Sequence, residues 1–186
     1  MALIEVRVNP DPILRRRAKP VTVFDEKLHQ LLDDMYAVVN EKDGIGLAAP
    51  QVGKLKRAMV VDHSGRDQLE LINPEILEVR GLVVCQEGCL SIPDTSAYVR
   101  RPHYVRMKYQ DRHGVEKLIE ARGIQAIALC HELDHLNGIL FTDRAIEPTE
   151  EEKRRLKKAK DDVAQAQGTK ENPEPNAELS DYLPQD

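Results

Sequence analysis

His131 and His135 stand four residues apart with Glu132 directly after the first, a spacing that can do chemistry. On a helix, residues four apart lie one above the other, about 6 Å along the axis. Each imidazole can then offer one nitrogen to the same metal ion, with the glutamate beside it placed to move protons. A lone buried histidine is usually a core group satisfied by hydrogen bonds. A pair that shares an otherwise apolar helix with Glu132 asks for a further reason, because a buried carboxylate without a partner is costly. A catalytic metal site wants three protein ligands and one open position. The residue types leave the third ligand open between a carboxylate and a thiolate, and Cys85, Cys89 and Cys130 are the thiols on offer.

Two further stretches look made for a peptide. In Gly44-Ile45-Gly46-Leu47-Ala48-Ala49-Pro50-Gln51, the missing side chains of Gly44 and Gly46 let another backbone come close. The run lacks the third glycine and the lysine of a phosphate-binding loop. Ile45 and Gly46 are expected to pair with a substrate backbone as an added strand. Ile124, Ile127 and Ala128 precede His131 at helical spacing and can line an apolar slot beside the metal, with Ile45 and Cys85 closing it from the other side.

These residues need elements to hold them. Leu28, Leu31, Leu32, Met35, Val38 and Val39 recur at helical spacing and predict a first helix over residues 25 to 42, ended by Asp43-Gly44. Short apolar runs at 58–62, 69–72 and 76–84 predict strands, the last broken by Gly81. Val105, Met107 and Tyr109 alternate with Arg106, Lys108 and Gln110, and Asp111-Arg112-His113-Gly114 turns the chain into a return strand at 115–121. The metal-bearing helix should start after Gly123 and end at Gly138, a left-handed cap, with Ile124, Ile127, Ala128, His131 and His135 on its buried face. The class expected is α+β, antiparallel strands around a central metal-binding helix. Residues 1–147 read as the catalytic domain. Residues 148–186 read as a polar C-terminal helix and a disordered tail, since Pro173, Pro175, Pro184 and many acids follow residue 168.

Composition excludes several classes. With 186 residues, 41% of them hydrophobic, the chain can bury one real core, built on aliphatics because tryptophan is absent. A formal net charge of −5 argues against general nucleic-acid binding. No apolar run approaches the ~20 residues that span a bilayer, and no signal-peptide core follows Met1. Three cysteines suit a reducing cytoplasm better than a disulfide framework.

His131-Glu132-Leu133-Asp134-His135, Glu87-Gly88-Cys89-Leu90-Ser91 and the 44–51 run, all present in one chain, together resemble the motif set of the peptide deformylases. The resemblance covers roughly residues 9 to 145. It implies an amide hydrolase that removes the N-formyl group from the amino-terminal formylmethionine of newly synthesised polypeptides and releases formate. It makes Cys89, beside Gly88, the third ligand with His131 and His135. It gives Glu132 the proton transfers and assigns the developing oxyanion to the Gln51 side-chain amide and the Leu90 backbone N–H. Ferrous iron is the implied metal, although a thiolate with two imidazoles also suits Zn(II), Ni(II) and Co(II). Asp134 and Glu87 are expected to brace the ligands from behind. Cys130, where many members carry glutamine, and Ser96, where some carry arginine, depart from the usual pattern without touching the chemistry.

Two other functions fit part of this. A metallopeptidase would share the histidines and Glu132 but has no need of the glycine-rich run ending in Gln51. A zinc-stabilised interaction module built on Cys85, Cys89, His131 and His135 has too long a stretch between its halves and gives Glu132 no task. A monomer is expected. Within residues 153–160, six of eight are basic, which suggests a helix that docks on the ribosome.

Overall fold

In the computed structural model, residues 4–62 and 68–163 are described. The chain runs through a helix α1 (Glu26–Glu41), strands β1 (Gly46–Ala48), β2 (Ala58–Asp62), β3 (Gln68–Cys89), β4 (Ile92–Gln110) and β5 (Glu116–Arg122), then helices α2 (Gly123–Leu136) and α3 (Glu150–Val163). The strands form one antiparallel sheet in the order β1-β2-β3-β4-β5. The expected α+β class is what the chain adopts.

Asp25 caps α1 by accepting from the Leu28 N–H at 3.1 Å, and the predicted apolar stripe is buried, with Tyr36 added to it. This stripe packs on Leu47, Ala49, Ala58, Val60 and Ile72. The opposite face of the same strands, Ala48, Met59, Val61 and Leu71, packs on Ala126, Leu129, Leu133 and Leu136 of α2. β2 is therefore covered on both faces, which is why it reads as an unbroken apolar run. A third cluster, Leu14, Ile92, Val99, Leu140 and Phe141, fills the end of the β3–β4 hairpin. Each fully buried aliphatic or aromatic side chain contributes roughly 1.5–3 kcal/mol.

The two apolar runs at 69–72 and 76–84 are one strand, not two. β3 continues through Pro74 because its register against β4 shifts between Ile72 and Glu75, again between Ile76 and Glu78, and Asn73 (φ 51°) takes a left-handed conformation there. A bulge absorbs the proline that would otherwise end pairing. The turn between β4 and β5 is held by Asp111 Oδ1, which accepts from His113 and Val115 N–H.

Helix α2 is buried along almost its whole length, wider than the single face expected. Ile124 is the exception: it is 45% exposed at the open N-terminal end. Past α2, Gly138 (φ 74°) reverses the chain where a Cβ would meet the Arg15 backbone oxygen at 2.6 Å, so only glycine fits. Ile146 N–H then bonds Tyr98 O, and Glu152 of α3 takes two hydrogen bonds from Arg100 Nη2, at 2.9 and 3.2 Å. The tail expected to be disordered falls on residues 168–186, outside the described residues.

Candidate active site

Helix α2 brings His131 and His135 to the same side, ring centroids 5.0 Å apart. β3 ends beside them at Cys89, whose Sγ is 3.2 Å from His135 Nε2. One ligating atom from each of the three lies within 4.8 Å of the others, a separation a single ion can bridge. The sulfur also accepts from Gln51 Nε2 and from the Ser91 N–H, each at 3.4 Å. Burial opposes a charge on His131, yet the Cys89 sulfur and the Glu87 and Glu132 carboxylates outweigh it and hold the ring up at about 10. Burial, His131 and Arg101 drive His135 well below its usual value. Two nitrogens and a sulfur this close together suit a late first-row divalent metal.

Glu132 points into the same space. It is 4% exposed, burial pushes its carboxyl up to about 7, and among the described residues its Oε2 has no hydrogen-bond partner. β1 runs directly opposite: a Cβ on Gly46 would sit 2.8 Å from Glu132 Oε1. The Asp62 N–H donates to Ile45 O at 2.8 Å, so Ile45 turns its carbonyl towards β2. Gly46, next in the strand, turns its own N–H and C=O to the free edge of the sheet. Gly44 is looser, since a Cβ there would sit 3.4 Å from Leu90 Cδ1, and a Cβ on Gly88 would meet only Thr95 O at 3.6 Å. Of the three, Gly46 is the position where the protein itself leaves no room for a side chain.

Behind the ligands lies a charged chain. His131 Nδ1 is 2.8 Å from Glu87 Oε2. Arg101, fully buried, grips Glu87 through Nε (2.7 Å) and Nη2 (2.9 Å) and Asp134 through Nη1 (2.5 Å). Arg144 closes the other side of Asp134 at 2.7 and 2.8 Å. Burial raises the Glu87 carboxyl, but the bonds from Arg101 and His131 outweigh burial and bring it down to about 2. Of the ligands, Glu87 thus braces His131. Asp134 reaches the ligands only through Arg101. Neither arginine was legible in the sequence: Arg101 lies in a polar run, and only its position in register opposite Val83, beside Glu87, makes it internal.

A pocket of about 760 Å³ opens over the site. Gly44, Ile45, Gly46, Gln51, Cys85, Gly88, Leu90, Ile124, Ile127 and Ala128 all line it, together with Cys89, His131 and Glu132. Cys130 lies on the core-facing side of α2, 1% exposed, its thiol pushed up to about 12 by burial. Cys85 lines the wall with its thiol likewise raised to about 12, chiefly by burial. Neither is poised as a thiolate. Gln51 Oε1 accepts from Ala48 N–H at 2.8 Å, and its Nε2 also donates to Ser91 Oγ at 3.2 Å. Ser91, fully buried, was not singled out in the sequence, and its hydroxyl helps aim the Gln51 amide.

A helix-borne His-Glu-x-x-His pair beside a cysteine, under a peptide-sized pocket bordered by a free strand edge, is the site of a metal-dependent hydrolase acting on a peptide end. The chain belongs to the polypeptide deformylase family, whose model matches residues 3–151. It is 51% identical over 162 residues to a peptide deformylase of Caldicellulosiruptor bescii, covering 87% of this chain and 97% of that one. It is 46% identical over 171 residues to a peptide deformylase of Acetivibrio thermocellus, covering 90% and 100%. Among solved structures it resembles a peptide deformylase from Thermotoga maritima, with TM-score 0.76, 42% identity and coverage of 79% and 100%. A peptide deformylase from Synechococcus elongatus in complex with actinonin gives TM-score 0.74 and 42% identity, covering 83% and 85%.

Proposed function

We propose that this chain removes the formyl group from the amino-terminal formylmethionine of newly synthesised polypeptides, releasing formate. Family membership supports the reaction. The observation that carries it to these residues is Glu132, buried at the pocket floor with no partner for its Oε2 among the described residues, facing Gly46 and flanked by the Cys89, His131 and His135 ligand set. A divalent ion held by those three would activate water and polarise the formyl carbonyl. Ferrous iron is our choice, with Zn(II), Ni(II) and Co(II) as the alternatives the donor set allows.

In this reading the substrate backbone adds to the free edge of β1, using the outward N–H and C=O of Gly46. Ile45, Cys85, Ile124, Ile127 and Ala128 receive the methionine side chain. With a carboxyl near neutrality, Glu132 takes the proton of the attacking water and passes it to the departing methionine nitrogen. The Gln51 amide and the Leu90 N–H stabilise the developing oxyanion. Glu87 holds His131 by Nδ1, which leaves Nε2 for the metal.

The catalytic unit ends near residue 147 in this proposal, and residues 148–186 serve another purpose. The basic side of α3 would dock on the ribosome, where substrate emerges, with the enzyme acting as a cytoplasmic monomer. No helix among the described residues is long and apolar enough to cross a membrane. Formate release from formyl-Met-Ala by anaerobically purified protein, with metal analysis of the same sample, tests the reading. Cleavage of Met-Ala alone, without formate release, would point to a metallopeptidase instead.

A further inference from the structure

Two basic runs far apart in sequence are laid side by side at the end of α2 remote from Ile124. They meet at Lys19: Lys19 N–H donates to Leu55 O at 2.9 Å, Arg57 N–H donates to Lys19 O at 2.8 Å, and Lys19 pairs with Lys56 in a parallel bridge. Ala18 is buried between Arg17 and Lys19, so the two cations project together to the outside. Lys54, exposed, and Lys56, half-buried, stand on either side of the half-buried Leu55 on the neighbouring segment.

The result is Arg17, Lys19, Lys54 and Lys56 on one surface, with the exposed Arg16 next to Arg17 in the chain. Among the described residues, none of the five meets a carboxylate within ion-pair distance. Like charges set opposite one another in adjacent strands are destabilising. Arg57 below them feels it: burial lowers its pKa, and the charge of Arg17 lowers it further. In a chain whose formal net charge is −5, with acids paired to cations over much of the surface, this concentration is not what an even distribution gives.

We propose that this surface binds the phosphate backbone of RNA, and that it does so while the substrate pocket stays open. Alternate residues of an extended segment are about 6.6 Å apart, and adjacent segments about 4.8 Å, so the cations form a preset two-row array. A regularly charged polyanion can engage such an array with little ordering of its own. The array sits where Ala18 N–H caps Leu136 O at 2.8 Å, at the α2 C-terminus. Ile124, at the pocket rim, is about 18 Å away along the helix, so the two surfaces do not compete.

The test uses the full chain and a variant carrying Arg16→Gln, Arg17→Gln, Lys19→Gln, Lys54→Gln and Lys56→Gln. Binding of a short fluorescein-labelled RNA hairpin is followed by anisotropy across a salt series. The variant should lose at least about tenfold in affinity at low salt, and its log-affinity slope should flatten by about 0.7–0.9 for each phosphate it no longer neutralises. Formate release should stay at the wild-type level, which also certifies the fold. A second variant, Arg154→Gln with Lys157→Gln and Lys158→Gln, separates this surface from α3. Unchanged RNA binding in the first variant, or loss confined to the second, overturns the proposal. So does equal wild-type binding to polyglutamate or to phosphatidylserine vesicles, which would make the surface a general acceptor of acidic partners.

Discussion

Glu87 Oε2 lies 2.8 Å from His131 Nδ1, and the same carboxylate is clamped from behind by the buried guanidinium of Arg101. One hydrogen bond thus fixes the ring's tautomer and its orientation, leaving Nε2 to face Cys89 and His135. Glu87→Gln keeps the shape but can no longer hold the proton on Nδ1 as firmly. It should lower metal affinity by roughly 10–100-fold, measured by competition with a chelator, with the fold intact by circular dichroism. Affinity within twofold of wild type would remove this role from Glu87.

Arg101→Met should act differently. It removes the cation from between two carboxylates and leaves Glu87 and Asp134 facing each other in a buried space. Breaking a buried ionic network on one side costs about 3–5 kcal/mol. Denaturant unfolding should therefore show a loss of that order, larger than for Glu87→Gln. A loss under about 1 kcal/mol would mean that water reaches the network.

Glu132→Ala should fold and retain metal, because the residue neighbours the ligands without belonging to them. Formate release should drop by ~10²-fold or more, the usual range for a general acid–base group. Gly46→Ala probes the same carboxylate from the opposite wall, since the added methyl would sit 2.8 Å from Oε1. It should reduce kcat while metal content stays unchanged. A fully active, metal-loaded Glu132→Ala would end the proton-transfer assignment.

The histidine pair and the pocket-lining runs were legible because they rest on short-range spacing, whereas Cys89 entered as third ligand only through the resemblance. His131 and His135 share a helix with Ile127 and Ala128, and Gly46 lies in the same run as Gln51. The α1 stripe was legible for the same reason. What could not be read was long-range. Asn73 and Pro74 suggested a break between two strands, yet a bulge carries β3 through them. Arg101 looked like a surface cation because nothing local says that β4 turns it inward onto Glu87 and Asp134. Lys19 and Lys56 become neighbours only through tertiary pairing.

The three thiols should separate cleanly. Cys89→Ala should lose metal and turnover, since its sulfur stands 3.2 Å from His135 Nε2. Cys130→Ala should keep the metal and cost only the packing of a small buried group. Cys85→Ala should also keep the metal, while widening the pocket wall. Metal retained by Cys89→Ala but lost from Cys130→Ala would mean that the wrong thiol has been assigned.

Removing everything after Pro148 tests the purpose of the C-terminal segment. All the assigned ligands and pocket residues precede it, and so do Arg144, which closes the Asp134 network, and Ile146, which pairs with Tyr98. The chief described tie beyond the cut is Arg100 to Glu152, with side chains 41% and 23% exposed. An ion pair that open to solvent is worth about 0.2–1 kcal/mol. The half-buried Leu156, one turn on from Glu152, adds a small apolar contact. The truncated chain should therefore hydrolyse a short formyl-peptide at close to the wild-type rate and lose little thermal stability. It also loses Arg154, Lys157 and Lys158, exposed cations of α3 that form no ion pair among the described residues. Co-sedimentation with ribosomes at low salt should weaken, and the remaining association should respond less steeply to added salt. Unchanged co-sedimentation would make α3 a solvated helix without a partner. Loss of small-peptide hydrolysis would mean that its grip on Arg100 helps to hold β4, and through Arg101 the ligand set, in place.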